Sequence, residues 1–159
     1  MSAKRDRKEI ERILYQYGNI PADIQKLNKQ LNDIITNKEY TYNTLQAAKC
    51  TGEGHGTDIS DQTYTAVEKL IDTYKERIDD IVYQINKLIL LQKQIDDIFH
   101  SPDLNMEERR IINLRYFNYY SWQRIPAKMK YSRSQCFRVY GSAIDKIERM
   151  YFEAIRKTA

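Results

Sequence analysis

Apolar residues recur at helical spacing along most of the chain, beginning near its start. A stripe of them between about Asp6 and Tyr17 predicts a short first helix, which Gly18 and Asn19 should end. Pro21 suits the first turn of the following helix, where its missing N–H costs no hydrogen bond. The stripe consists of Ile10, Ile13, Leu14 and Tyr17.

Two longer segments repeat apolar residues in alternating steps of three and four, which is the heptad pattern of helices that pack side by side. The first seam consists of Ile20, Ile24, Leu27, Leu31 and Ile34. After Ile35 the pattern loosens, and residues 36–49 are predicted to continue the helix with a kink. The second seam consists of Val67, Ile71, Tyr74, Ile78, Ile81, Ile85, Leu88, Gln92, Ile95 and Phe99. It predicts a helix about 50 Å long, which the pair Ser101-Pro102 should end.

Residues 51–60, with the sequence TGEGHGTDIS, separate the two seams and read as an exposed turn or mobile loop. Two heptad helices joined in this way form either an antiparallel hairpin or an intermolecular coiled coil. Because a lone two-helix hairpin buries little area, association into a homodimer through these helices is a reasonable expectation. Gln92 is polar at a seam position: it either sets the register or oligomeric state, or lies where the seam ends or meets the C-terminal domain.

Short capped helices replace the heptads after Pro102. Asn105 is placed to cap a first helix, Ser121 a second one over Trp122–Met129, and Ser132 a third one that continues to about Lys157. A break at residues 118–120 and a tight turn at residues 130–131 separate them. A helix of about eight residues, a turn and a second capped helix are the layout of a helix-turn-helix.

These patterns predict an all-α protein in which a long helical hairpin or coiled coil is followed by a C-terminal helix-turn-helix domain. The predicted division assigns residues 1–101 to the hairpin, for oligomerisation or partner binding. Residues 102–159 form the predicted DNA-binding domain.

Charge is distributed unevenly along the chain. The net charge is +4, yet residues 1–100 contain 14 basic and 16 acidic residues, whereas residues 101–159 contain 12 basic and 6 acidic ones. Between Arg109 and Ile144 there are eight basic residues and no acidic one. Such a stretch is typical of a phosphate-binding surface, although a solvated basic face would have the same composition.

The N-terminal end of the third helix carries residues suited to reading DNA bases. Arg133, Ser134, Gln135, Phe137 and Arg138 should lie off its core face, which Cys136, Val139, Ala143 and Ile147 define. Arginine reads guanine with two hydrogen bonds, glutamine reads adenine, and an aromatic ring contacts the thymine methyl group.

Several other classes of function find no support in the sequence. The two cysteines, Cys50 and Cys136, suggest neither a disulfide framework nor a metal site, and His55 has no ligand partner at suitable spacing. No nucleophile–base arrangement or phosphate-cradling glycine loop is present, so we expect neither an enzyme nor a cofactor. The longest apolar run is four residues and no signal peptide is visible, which predicts a cytoplasmic protein without a membrane segment.

The segment LNMEERRIINLRYFNYYSWQRIPAKMKYSRSQCFRVYGSAIDKI resembles the fourth conserved region of bacterial sigma factors. The matching elements are R-Y-F before the break, Y-S-W-x-x-I at the second helix, S-R-S-Q-x-x-R at the third, and then Ala143-Ile144. The similarity is closer to phage-encoded late-transcription regulators of the ArpU/RinA type. Those proteins also place a helical region with a glycine-containing "sDxT" loop before the motif. Here that loop reads Ser60-Asp61-Gln62-Thr63.

The resemblance implies base contacts from Arg133, Ser134 and Arg138, and backbone contacts from other polar residues of the same segment. Pro126 stands where the family usually has alanine, and implies that the second helix starts late or is distorted. Adding Phe137 from the helix pattern gives the expected base contacts. The expected contacts to the DNA backbone are Arg115, Arg124, Lys128, Lys130 and Gln135.

We therefore expect a sequence-specific regulator that binds double-stranded DNA and activates phage late genes, with host RNA polymerase as a candidate further partner. The alternative is a DNA-recognition subunit of a phage packaging machine of the small-terminase kind, which also joins a helix-turn-helix to long oligomerising helices. The acidic balance of the first hundred residues disfavours the single-strand-binding surface that a sigma factor needs.

Overall fold

The computed structural model of the protein describes residues 2–50 and 61–158, and every regular element in these ranges is a helix. The predicted all-α fold class is confirmed. The predicted loop at 51–60, with His55, lies outside the described residues. The elements in chain order are α1 (Ser2–Cys50), α2 (Asp61–His100), α3 (Met106–Ile112), a π-helical segment (Asn113–Phe117), α4 (Ile125–Met129) and α5 (Arg133–Thr158).

Helix α1 runs without interruption through the positions at which the sequence predicted a break. Gly18, Asn19 and Pro21 all lie inside it, so the prediction that Gly18 and Asn19 end a first helix is wrong. Pro21 is exposed, whereas its neighbour Ile20 is completely buried. Packing of the apolar face on both sides of residue 20 outweighs the hydrogen bond that a proline removes and the low helix propensity of glycine.

The chain divides into two compact units, and their limits differ from the predicted boundary at residue 101. One unit, here called the terminal unit, contains the residues up to Pro21 together with those from Ile89 onward. The other, the hairpin unit, is Ala22–Leu88. The stripe of residues 10–17 packs among the C-terminal helices, which is why the N-terminal segment belongs with them.

A single hydrophobic core fills the terminal unit and draws on both ends of the chain. Ile10 and Leu14 of α1, Ile95 of α2, and Ile111 of α3 are all fully buried in it. A cluster of three rings joins three elements beside this core: Tyr17 lies 5.0 Å from Phe117 and 6.2 Å from Phe99 between ring centroids. The hydroxyl group of Tyr17 also donates a hydrogen bond to Asp96 of α2. The other buried members are Ile13, Ile98, Leu104, Ile112, Tyr116, Ile125, Met129, Cys136, Tyr140, Ala143, Ile144 and Ile147.

The hairpin unit consists of the two heptad segments running antiparallel within one chain. Leu45 and Ile71 line one hollow between the helices, and Ile34 and Ile81 line another. The seam of α1 continues past Ile35 through Lys38, Thr41 and Leu45, each half-buried. The helix therefore persists where its apolar pattern loosens, because the alternating three- and four-residue spacing is kept.

No helix in the described part of the chain is long and apolar enough to cross a bilayer.

Candidate nucleic-acid interface

Helix α3 begins with a reciprocal cap that the sequence predicted in part. The Asn105 side chain accepts a hydrogen bond from the N–H of Glu108 at 2.8 Å, and the Glu108 carboxylate accepts one from the N–H of Asn105 at 3.0 Å. Glu108 is only 2% exposed and also accepts hydrogen bonds from Ser142 Oγ at 2.6 Å and Lys146 Nζ at 2.9 Å. One carboxylate thus caps α3 and joins it to α5.

The ionisation of Glu108 is favoured by these partners. Burial alone would raise the pKa of the carboxyl group, but the hydrogen bonds from Ser142, Lys146 and the Asn105 backbone outweigh that cost and lower its pKa. The Glu108 carboxylate therefore forms an ion pair with Lys146 in the folded protein. This pair fixes the distance between α3 and the helix that carries the predicted base contacts.

A π-helical turn and a buried tyrosine pair connect α3 to the rest of the core. The N–H of Asn118 donates to the carbonyl oxygen of Asn113 at 2.9 Å, and this wider turn ends the element. Inside it, Tyr116 Oη lies 2.6 Å from Tyr140 Oη, and Tyr140 in turn donates to Glu11 Oε1 of α1 at 2.9 Å. Burial raises the pKa of both tyrosines, that of Tyr116 to about 12. The hydroxyl groups of Tyr116 and Tyr140 therefore keep their protons and serve as hydrogen-bond donors.

Helix α4 is shorter than the predicted helix over Trp122–Met129, because it starts at Ile125. Ser121 does not act as the predicted side-chain cap; its backbone carbonyl accepts the N–H groups of Arg124 at 2.9 Å and Ile125 at 3.1 Å, forming a turn ahead of the helix. Pro126 then occupies the first turn of α4, where its lack of an N–H breaks no helical hydrogen bond. Of the two outcomes expected from Pro126, the late start is the one observed.

A tight turn joins α4 to α5. Lys130 adopts the left-handed conformation with φ of 58°, which ends α4. Ser132 then caps α5 as predicted: its hydroxyl accepts the N–H of Gln135 at 3.2 Å, and Gln135 Oε1 accepts the N–H of Ser132 at 3.0 Å. Since its amide oxygen holds this cap, Gln135 has a structural role beside the backbone contact predicted for it.

The first turns of α5 expose a row of side chains. Cys136 and Tyr140 point into the core, and burial raises the pKa of the Cys136 thiol. Between and around them, all four residues predicted to contact bases are exposed. They are Arg133, Ser134, Phe137 and Arg138.

Phe137 is held in place by a second aromatic ring. It stacks on Trp122 with ring centroids 4.6 Å apart, and Trp122 in turn meets the edge of the buried Tyr140 at 4.8 Å. Phe137 nevertheless remains 42% exposed, with the guanidinium of Arg133 5.7 Å from the centre of its ring. Trp122 is itself half-buried, so the stacked pair lies at the surface of the core.

The cations predicted to contact the DNA backbone fall into two groups. The first group is exposed: Arg124 directly precedes α4, Lys128 lies on it, and Lys130 directly follows it. Arg115 instead is half-buried, where it donates to the carbonyl oxygen of Tyr120 at 3.2 Å and lies 5.5 Å from the ring of Trp122. Its side chain is therefore engaged within the fold rather than presented with the other three.

Arg110 is a further exposed cation, which the sequence reasoning did not select. It donates to the carbonyl oxygen of Lys128 at 2.9 Å and so lies beside α4. Its only signal in the sequence was its place in the acid-free stretch. Among the side chains that the structure describes, no carboxylate lies within ion-pair distance of Arg110, Arg124, Lys128 or Arg138. The surface thus keeps its positive charge.

Over the described ranges, no group of three or more histidine, cysteine, aspartate or glutamate side chains is arranged to hold a metal ion.

Comparison with known proteins bears on the chain as a whole. No curated protein and no solved structure matches it. The profile of a family described as "Protein of unknown function (DUF722)" matches residues 6–149, which include the hairpin unit and most of the terminal unit. The chain therefore belongs to the DUF722 family.

Proposed function

We propose that this protein is a sequence-specific transcription regulator that binds double-stranded DNA through a helix-turn-helix formed by α4 and α5. The biological role that fits the sequence resemblance is activation of phage late genes in the cytoplasm, with host RNA polymerase as a second partner. In this proposal α5 enters the major groove, and α4 lies across the DNA backbone.

The observation that carries the proposal is the exposed row at the start of α5. Arg133, Ser134, Phe137 and Arg138 stand on one capped, rigid helix and supply a bidentate donor, a hydroxyl, an apolar ring and a second guanidinium. These are the groups that distinguish base pairs in the major groove. A basic surface that is merely solvated does not account for a large exposed aromatic ring among its cations.

The cations of the neighbouring elements support the same arrangement. Arg110, Arg124, Lys128 and Lys130 are exposed and lie on α3, on α4 or directly beside it. Phosphate contacts from such residues set the position of a protein on the duplex without reading its sequence. The surface therefore separates into a positioning part and a reading part, and these can be tested independently.

The first experiment is selection of bound duplexes from a random pool, followed by titration of the selected site at several salt concentrations. Each phosphate contact contributes about 0.9 to the slope of log K against log salt, so about four to six contacts should give a slope of roughly −4 to −5. A slope near zero, or the absence of any selected sequence, would remove the proposal.

Matched substitutions then separate the two parts of the surface. Arg133→Ala should cost about 1–3 kcal/mol on the selected site and relax its sequence preference, because a base contact is lost. Lys128→Ala should weaken binding to selected and random duplexes equally. Arg156→Ala, which removes an exposed cation from the last turn of α5, serves as the control and should leave both affinities unchanged. If Arg133→Ala affects both duplexes to the same extent, α5 is not the reading helix.

A further inference from the structure

The two long edges of the hairpin unit differ in character. One edge carries two adjoining hollows of about 520 and 390 Å³ that share Tyr42. Besides polar residues, these hollows are lined by the apolar side chains of Ile35, Leu45, Ile71 and Ile78, and we call this edge the apolar groove. Val82, one heptad beyond the Lys75 of the groove, extends it with a further apolar side chain that is 40% exposed.

The opposite edge is polar. A hollow of about 400 Å³ there is lined by Gln30 and Asp33 of α1 and by Arg77, Asp80 and Gln84 of α2 around the seam residues. The seam itself is shared by the two edges, so the difference arises from the flanking positions of each heptad. A hairpin that was solvated on both sides would need polar residues at both sets of positions.

The apolar groove is left open by the chain's own packing. Ile35 is 36% and Tyr42 is 53% exposed, and Ile71 and Ile78 on its floor are only half-buried. Of the described residues in the hairpin unit, Ile81 alone is buried. Two helices by themselves cannot enclose a seam, whereas four helices packed as two hairpins can.

We propose that the apolar groove binds the same groove of a second copy of this chain, so that two hairpin units form a four-helix bundle. The charges along the groove favour self-association over a strongly charged partner, because Lys38 and Lys75 alternate with Glu39, Glu68 and Asp72. A two-fold axis brings each such mixed set against its own copy, where opposite charges can meet.

The dimensions of the groove also agree with a dimer. At 1.5 Å per residue, the roughly 27 residues of each helix in this unit extend about 40 Å. Two helices packed side by side are about 20 Å wide, so the face covers on the order of 800 Å². That is about the area that each partner contributes to a stable protein interface.

The test is the mass of the full chain in solution, measured by sedimentation equilibrium between about 1 and 100 µM. The wild type should have twice the chain mass of 19.0 kDa. Ile35→Arg should raise the dissociation constant at least about a hundredfold, because the two-fold axis buries the new charge twice. Leu70→Arg is the matched control: Leu70 is 41% exposed but lies one heptad before Arg77 on the polar edge, so this variant should remain a dimer.

Circular dichroism of each variant shows whether it still folds, and a second measurement covers the case in which Ile35→Arg does not. A photo-crosslinking phenylalanine analogue at position 42 should join two copies of the purified chain, and the same analogue at position 84 should not. A monomeric wild type at 100 µM, an equal effect of both arginine variants, or crosslinking at position 84 instead of 42 would overturn the dimer. A ring of eight or more copies would overturn it too and would favour a packaging subunit. None of these results depends on DNA binding.

Discussion

Phe137 combines exposure with a fixed orientation, which is unusual for an aromatic side chain on a polar surface. Its ring is stacked on Trp122 and cannot turn into the core, since Cys136 and Tyr140 occupy that side of α5. An apolar ring held in this way is suited to contact the methyl group of thymine, the one apolar group at the edge of a base in the major groove.

Replacing single thymines of the selected site with deoxyuridine removes only that methyl group. At one position the change should weaken wild-type binding by about 0.8 kcal/mol, roughly a fourfold rise in Kd, because one buried methyl is lost. The Phe137→Ala variant should bind the two duplexes equally. If no deoxyuridine position affects the wild type, Phe137 contacts no thymine, while the affinity of the selected site itself still tests DNA binding.

Glycine is required at position 18 because the backbones of α1 and the π-helical segment approach each other closely there, and not because a helix ends there. A Cβ atom added there would lie 2.7 Å from the backbone oxygen of Tyr116, a group that cannot move aside. Gly141, in contrast, has no atom within 4 Å of the corresponding position. Both residues are inside helices, so the two sites isolate the effect of the contact.

Alanine at the two glycines should therefore act in opposite directions. Gly141→Ala should raise the free energy of unfolding by about 0.5–1 kcal/mol, the usual gain in helix propensity. Gly18→Ala should lower it by about 1–3 kcal/mol, because the strain of overpacking exceeds that gain. Urea denaturation of both variants measures the difference. Stabilisation by Gly18→Ala would show that α1 and the π-helical segment do not meet this closely.

Among the elements, the connection between α3 and α5 depends on the charge of Glu108. The folded protein lowers the pKa of this carboxyl group below its ordinary value of 4.5. The stability that it contributes is thus fully present above the unfolded pKa and is lost as the pH falls through the folded one.

Glu108→Gln should consequently destabilise the protein by about 1–3 kcal/mol at pH 7, since charge-assisted hydrogen bonds to Ser142 and Lys146 become weaker. The difference from the wild type should shrink as the pH falls below 4.5, the unfolded pKa, and should continue to shrink until the folded carboxyl group is itself protonated. Thermal melts of both proteins between pH 3 and 7 check this, and Glu153→Gln, which changes an exposed acid on α5, is the control. A difference that does not change with pH would mean that the charge is irrelevant.

Patterns within a few residues predicted most elements of the fold. The predictions failed where contacts between residues distant in sequence determine the structure. The caps at Asn105 and Ser132 were readable because each acts within three residues of itself. The late start of α4 could be anticipated from Pro126 alone. The continuity of α1 could not be predicted, because Ile10 and Leu14 pack in a core whose other members lie far along the chain. The same holds for Trp122, whose half-exposed position follows from its contact with Phe137.

For the candidate site, the exposed row of α5 was predictable from the helical period and the cap that sets its start. Arg115 shows the limit of that reasoning. Its position in the sequence resembled a backbone-contacting cation, but the carbonyl group of Tyr120 and the ring of Trp122 hold its side chain within the fold. The helical period of a sequence predicts the face on which a residue lies. It does not predict which neighbouring groups will bind its side chain.

At the scale of the whole molecule, the proposed function separates this protein from a sigma factor. A sigma factor must hold flipped bases of the melted strand, which requires stacking surfaces among basic residues. The first hundred residues instead have a net charge of −2. Tyr74 is half-buried in the hairpin seam, and Trp122 is committed to Phe137.

In vitro transcription from a promoter that contains the selected site tests this separation. Core RNA polymerase with this protein should give no specific transcript, because nothing captures the melted strand. Added to the holoenzyme, the protein should change the amount of transcript, and Arg133→Ala should remove that change. Specific initiation with core polymerase alone would contradict the prediction and identify a divergent sigma factor.

The terminal unit closes its core with segments from opposite ends of the sequence, and this has a consequence during synthesis. Glu11 and its partner Tyr140 are 129 residues apart, so at about 5–20 residues per second the ribosome adds Tyr140 roughly 6–26 s after Glu11. Until α5 has been added, the core that Ile10, Ile13 and Leu14 enter is incomplete. The proposed DNA-reading surface can therefore form only after α5 has left the ribosome. A fragment that begins after residue 101 would lack the residues that seal its core, so the surface proposed to read DNA should form in one late step of folding.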